Sequence, residues 1–212
     1  MRNKIIQLLF RIECWCLRRL TADMYSGIRI CDINHDKTDD SAFVNYTREA
    51  LLLIEKKDPK RFNRVRQEIS FIVNKELTSG GQYRHATKCC FVDFGRYHFD
   101  RHPEWYLLLY AGMIVHEATH GILYSKGFMY TQENRKQIER ICHAEETRFL
   151  NRAKPEWREH LVNEFDPARW HFSWTASRWA RARVLVKRMQ ESAKKANHNS
   201  KATRDPSLDA SR

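Results

Sequence analysis

Apolar residues recur at helical spacing along much of the chain. Phe43, Tyr46, Ala50, Leu53 and Ile54 form one such stripe. It predicts a helix that Thr38-Asp39-Asp40 can cap and that runs to about Lys57. Pro59 interrupts, and helical character returns from Phe62 to about Ile69. The β-branched run Ile69-Ser70-Phe71-Ile72-Val73 either ends that helix or forms a strand. Gly80-Gly81 marks a turn. Lys88 to Phe94 reads as a strand closed by Gly95, with Cys89 and Cys90 on opposite faces.

Pro103 suits the first turn of the next helix. The run from Trp105 to Val115 carries no charge. A helix that is apolar all round is a buried helix. It is expected to continue to about Ser125, with Gly127 as its stop. Thr131 can cap a further helix to about Ala153, before Pro155. A short helix is expected around Trp157 to Phe165. A last one should run from Asp166-Pro167 to about Ala193, with the stripe Phe172, Ala176, Trp179, Ala182, Val186 and Met189.

The first twenty residues read as a basic amphipathic helix with Ile5, Leu9, Ile12, Cys16 and Leu20 on one face. That face is expected to dock on the domain, with binding to a membrane surface as the alternative. The apolar run is broken by Arg11 and Glu13, unlike a signal peptide. No stretch approaches the roughly 20 apolar residues that span a bilayer.

These elements fit one domain over residues 1–193. The expected fold is mainly α (α+β), a buried central helix against a small antiparallel sheet with flanking helices. Residues 194–212 are polar and free of aromatics, and read as a disordered basic tail. The six cysteines fit neither a structural zinc motif nor a secreted disulfide framework. Free thiols in a cytoplasmic protein are the expectation.

The net charge is +12, unevenly placed. Residues 1–20 hold +4 and residues 178–212 hold +7, so the remaining 157 residues hold only +1. A nearly neutral centre argues against a core that reads nucleic acid. Nonspecific contact of the basic ends with nucleic acid, acidic lipid or an acidic partner stays open.

The uncharged helix ends in chemistry. His116 and His120 are four apart, so on a helix they share a face. Two imidazoles so placed can grip one zinc ion, and Glu117 can act as a general base beside it. A catalytic site needs a third protein ligand. The next helix offers Glu145, Glu146, His143 and Glu139, ranked in that order. Its apparent core stripe is Ile138, Ile141, Cys142 and Phe149. Glu145 lies within that stripe, while Glu146 lies at its edge as a supporting partner and Glu139 lies off it.

His116-Glu117-Ala118-Thr119-His120-Gly121 together with Glu145-Glu146-Thr147-Arg148-Phe149 resembles the zincin metallopeptidases, in the branch with a glutamate third ligand (gluzincin type). The second piece is faintly similar to the Glu-led helix of ImmA/IrrE-type peptidases. The resemblance spans about residues 88–150. It implies one zinc per chain at His116, His120 and Glu145, with Glu117 as general base, and a peptide or protein substrate. It also implies that a substrate lies along an edge strand before the helix, a role for Cys89 to Phe94. The chain departs from the pattern where Phe149 stands in place of a carboxylate that orients a ligand histidine. Tyr130 heads the candidates for stabilising an oxyanion, ahead of Tyr124, His143, Arg148 and His171. Trp170 and Trp174 beside Arg178 and Arg181 could stack on bases, but packing on the domain is the expectation.

Overall fold

The computed structural model describes residues 2–33, 42–77 and 79–161. Helix α1 (Arg2–Arg19) leads into a tight hairpin of β1 (Asp23–Tyr25) and β2 (Ile28–Asp32). Helices α2 (Ala42–Lys57) and α3 (Pro59–Glu68) then cross back to β3 (Phe71–Asn74). The strands β4 (Gly81–Arg84) and β5 (Cys89–Val92) follow, then the long helix α4 (Pro103–Ser125), α5 (Arg135–Ala153) and the short α6 (Arg158–Leu161). The last predicted helix, its stripe, Trp170, Trp174, His171 and the basic tail lie outside the described residues, as do the capping residues Thr38-Asp39-Asp40.

The expected mixture of helices and a small sheet is present, but the sheet is mixed rather than antiparallel. Its order is β1-β2-β3-β5-β4. The β2–β3 and β3–β5 pairs are parallel, and only the two outer pairs are antiparallel. The reason lies in the connection: two helices between β2 and β3 form a crossover, which returns the chain in the same direction. The strand expected at the edge, β5, is internal. The edge belongs to β4.

Pro59 does not so much interrupt a helix as start one. Asp58 caps α3 by accepting a hydrogen bond from the Arg61 N–H at 3.1 Å, and Pro59 takes the first helical position. The long α4 matches its expected bounds, and Gly127 follows its end.

The sheet separates two apolar clusters. On one face, Ile30, Ile72, Cys90 and Val92 pack with Phe43, Leu51, Phe62, Tyr110 and Ile114 from the helices. On the other, Cys31, Phe71, Val73, Cys89 and Phe91 pack with Leu17 of α1. Cys89 and Cys90 thus face opposite sides as expected, and all six cysteines are free. Buried Tyr110 on α4 meets Thr47 on α2 through their hydroxyls at 2.6 Å, so the polar tip of the ring is satisfied inside the core.

Helix α1 docks by a different face from the one predicted. Leu9, Ile12 and Leu20 are 58%, 49% and 51% exposed. The anchor is Leu17, whose carbonyl accepts from the Thr21 hydroxyl at 2.9 Å and the Cys31 thiol at 3.3 Å. Glu13 pairs with Arg84 at the end of β4. These contacts choose the face, because they satisfy polar groups as well as burying apolar ones. Among the described residues, no helix is long and apolar enough to cross a membrane.

Candidate metal centre

The predicted motif sits in the fourth and fifth turns of α4, where nearly every side chain is buried. His116 and His120 face each other with their Nε2 atoms 3.2 Å apart. Opposite them lies α5, and the residue it presents is Glu139. One Glu139 oxygen is 3.3 Å from His116 Nε2 and the other is 3.7 Å from His120 Nε2. Glu139 is only 5% exposed. The Tyr130 hydroxyl donates to it at 2.6 Å.

Glu145 is elsewhere. Its carboxylate is bound by Arg61 at 2.9 Å, by Arg64 at 3.5 Å and by Arg148. Glu145, the expected third ligand, is therefore not brought to the histidines, and Glu139 stands beside them instead. The error was one of phase. Residues 139, 142, 143 and 146 follow the spacing of one helix face. That face meets α4, but three of its four members are polar. Hydrophobicity pointed to its apolar neighbours Ile138 and Ile141, and so rotated the inferred stripe toward Glu145. Glu139 was placed on the solvent side because a lone charge off the stripe usually belongs there.

The other nitrogen of His116 has its own partner. Nδ1 lies 3.1 Å from Glu146, which also contacts His143 Nδ1 at 3.3 Å. A carboxylate on one ring nitrogen fixes the tautomer and leaves the second nitrogen to bind a metal. Glu146 thus occupies the place of the orienting group missing at Phe149. Gly112 makes room for it, since a Cβ there would fall 3.3 Å from Glu146 Cγ and 2.9 Å from Leu150 Cδ2.

Do these residues fit a zinc ion? Bonds of about 2.0–2.2 Å in a tetrahedron put neighbouring donors about 3.3–3.6 Å apart. The 3.2 Å between the His116 and His120 Nε2 atoms matches that spacing, and Glu139 bridges the pair with a different oxygen on each ring, 3.3 Å from His116 and 3.7 Å from His120. Cys142 completes the setting: its sulfur and nitrogens of His116 and His120 all lie within 4.8 Å of one another. His116, His143 and Glu146 form a second such group. Sequence reasoning passed over Cys142 as an ordinary core residue, although its spacing of three from Glu139 was visible.

The electrostatics are those of a strongly coupled cluster. Burial disfavours charge on His116, but Glu139 and Glu146 outweigh it and raise its pKa to about 10. Burial opposes the charged forms of Glu139 and Glu146 as well, and their bonds to His116 bring each down to about 2. Burial and then the neighbouring His116 push His120 down to about 4.

Glu117 faces a different way. Burial lifts its pKa to about 7, against the pull of His116. Its carboxylate lies under the edge strand and accepts a hydrogen bond from the Tyr83 backbone N–H. Gly81 permits that approach: a Cβ there would come within 2.5 Å of Glu117 Oε1 and 2.6 Å of Met113 Sδ. A carboxyl poised near 7 beside a cluster that could hold a metal can exchange protons in both directions at neutral pH.

Of the other candidates, Tyr130 is at the site, through Glu139 and an edge contact with the His120 ring at 5.6 Å between centroids. Tyr124 stacks on His85 at 3.9 Å. Arg148 is engaged with Glu145. Comparison with known protein families, with curated proteins and with solved structures finds no match for this chain.

Proposed function

We propose that the chain is a zinc-dependent hydrolase of the zincin type that cleaves peptide or protein bonds. The observation that carries the reading is the His116–His120 pair, whose Nε2 atoms are spaced for one tetrahedral ion, with the Glu139 carboxylate bridging them. These three would hold the zinc, and Glu146 would keep His116 in the tautomer that binds it. A zinc ion bound there supplies Lewis acidity, which polarises a carbonyl and lowers the pKa of a water molecule.

The chain's own groups then divide the work. Glu117 accepts the proton of the attacking water at its carboxylate and returns it to the leaving nitrogen. Burial of that carboxylate lets it be neutral or charged at neutral pH without a large penalty either way. Tyr130 keeps its one hydroxyl proton on Glu139, and turning that hydroxyl away from the carboxylate would let it donate to an oxyanion instead. The edge strand β4 runs over Glu117, and an extended peptide can add to such an edge by backbone hydrogen bonds. The basic ends remain candidates for contacting acidic partners.

The test joins metal content to activity. Purified protein is expected to carry about one zinc per chain, and Glu117→Gln to keep the metal while losing about 10²–10⁴-fold in peptidase rate. Full hydrolytic activity in Glu117→Gln would sink the role given to that carboxylate.

A further inference from the structure

Helix α1 is fastened by one side and apolar on the other. The fastened side carries Leu17, Cys14 and Glu13. The outward side carries Leu8, Leu9, Ile12 and Trp15, and Leu20 follows just past its end, each between 49% and 58% exposed. At about 100° per residue the four on the helix lie within one arc of its surface. A contiguous exposed strip of large apolar residues marks an interaction surface.

We propose that this face of α1 binds an anionic membrane surface, with the helix lying in the plane of the interface. Charge selects the partner. Arg11, Arg18 and Arg19 are exposed at the border of the strip or within it. The one acidic residue of the helix, Glu13, is bound to Arg84 and sits on the docked side. The Arg19 guanidinium rests 4.9 Å from the centre of the Trp15 ring, so a cation and an indole are presented together. Indoles settle at the level of lipid headgroups, and guanidinium groups beside them meet lipid phosphates. A second copy of the chain fits less well, because it would bring the same arginines against each other while the one acid of the helix is held by Arg84. The inference is independent of the hydrolase reading, since it rests on a face that the sheet separates from the histidines.

The test is flotation of the full chain with vesicles of phosphatidylcholine alone and of phosphatidylcholine with phosphatidylserine. The wild type is expected to float with the anionic vesicles and not with the neutral ones. Leu9→Glu with Ile12→Glu should abolish flotation without changing the melting temperature, because both side chains already face solvent. Arg11→Gln and Arg18→Gln should each weaken binding roughly fivefold. Unchanged flotation of the Leu9→Glu/Ile12→Glu protein would place the lipid contact elsewhere, such as in the basic residues 178–212, and overturn the proposal. So would failure of the wild type to float, or a concentration-dependent dimer that the same two substitutions dissolve.

Discussion

Helix α5 meets acids on two sides, and they are answered in opposite ways. On one side, Glu139 and Glu146 meet imidazoles. On the other, Glu145 meets Arg61, Arg64 and Arg148, and Arg152 reaches the wholly buried Asp58 at 3.1 Å. A guanidinium holds its proton at every ordinary pH, so its carboxylate partner stays locked in an ion pair. An imidazole can give up its proton and offer a lone pair instead. The arginine side is therefore fit only to hold α5 against α3. The histidine side can exchange a proton for a metal. What separates the two sides is the partner rather than the acid.

Glu139→Gln and Glu145→Gln divide the two sides most sharply. The first is expected to weaken zinc binding by well over the roughly 100-fold that a supporting partner commands. The second should leave metal content unchanged, as read by metal analysis after dialysis against a weak chelator. Equal loss in both would erase the distinction.

Asp58→Ala attacks the arginine side. It removes a buried partner of Arg61 and the cap of α3, and should cost about 3–5 kcal/mol in denaturant unfolding while sparing metal affinity. The pH response of this side follows. Burial raises the pKa of Asp58, but Arg61 and Arg152 overcome that and hold it below its ordinary value. Its contribution is thus complete above the unfolded value of ~3.9 and is lost as the pH falls through the lower folded value. Unfolding midpoints measured from pH 7 down to pH 3 should drop in the wild type and change less in Asp58→Ala.

Glu146→Gln tests the support of His116. A zinc affinity lower by about 10–100-fold, with the ion still bound at saturation, is the expected outcome in a competition titration. Arg148→Ala should do least. Its side chain is 64% exposed, and such pairs contribute about 0–1 kcal/mol. A larger loss of stability would mean that the arginine side works as a cooperative unit.

The parts of the fold that were legible in the sequence have strong and single-minded patterns. Helix α4 stood out because its charge-free run ends in His116-Glu117, and β5 because β-branched and aromatic residues sit between a turn and Gly95. The strands β1, β2 and β4 were missed. β1 has three residues, and β4 is half polar because it lies at an edge. In β2, buried Ile28, Ile30 and Cys31 give no clean alternation, since both faces of the sheet are covered. Spacing alone revealed His116, Glu117 and His120. Glu139 was hidden because the buried face that meets the histidines is polar, and so inverts the rule that tells inside from outside.

The bond from Tyr83 to Glu117 has a second consequence. Asp93 N–H donates to the Gly80 carbonyl at 3.0 Å, which sets the ladder so that Gly81 and Tyr83 turn their backbone groups away from β5. A bare row of such groups invites indiscriminate pairing between molecules. Here the row is four residues long, and one of its outward donors is already engaged by a carboxylate from within the same fold. The contact that holds Glu117 thus also blunts a sticky margin of the sheet, so loosening it would threaten solubility as well as the placement of that carboxylate.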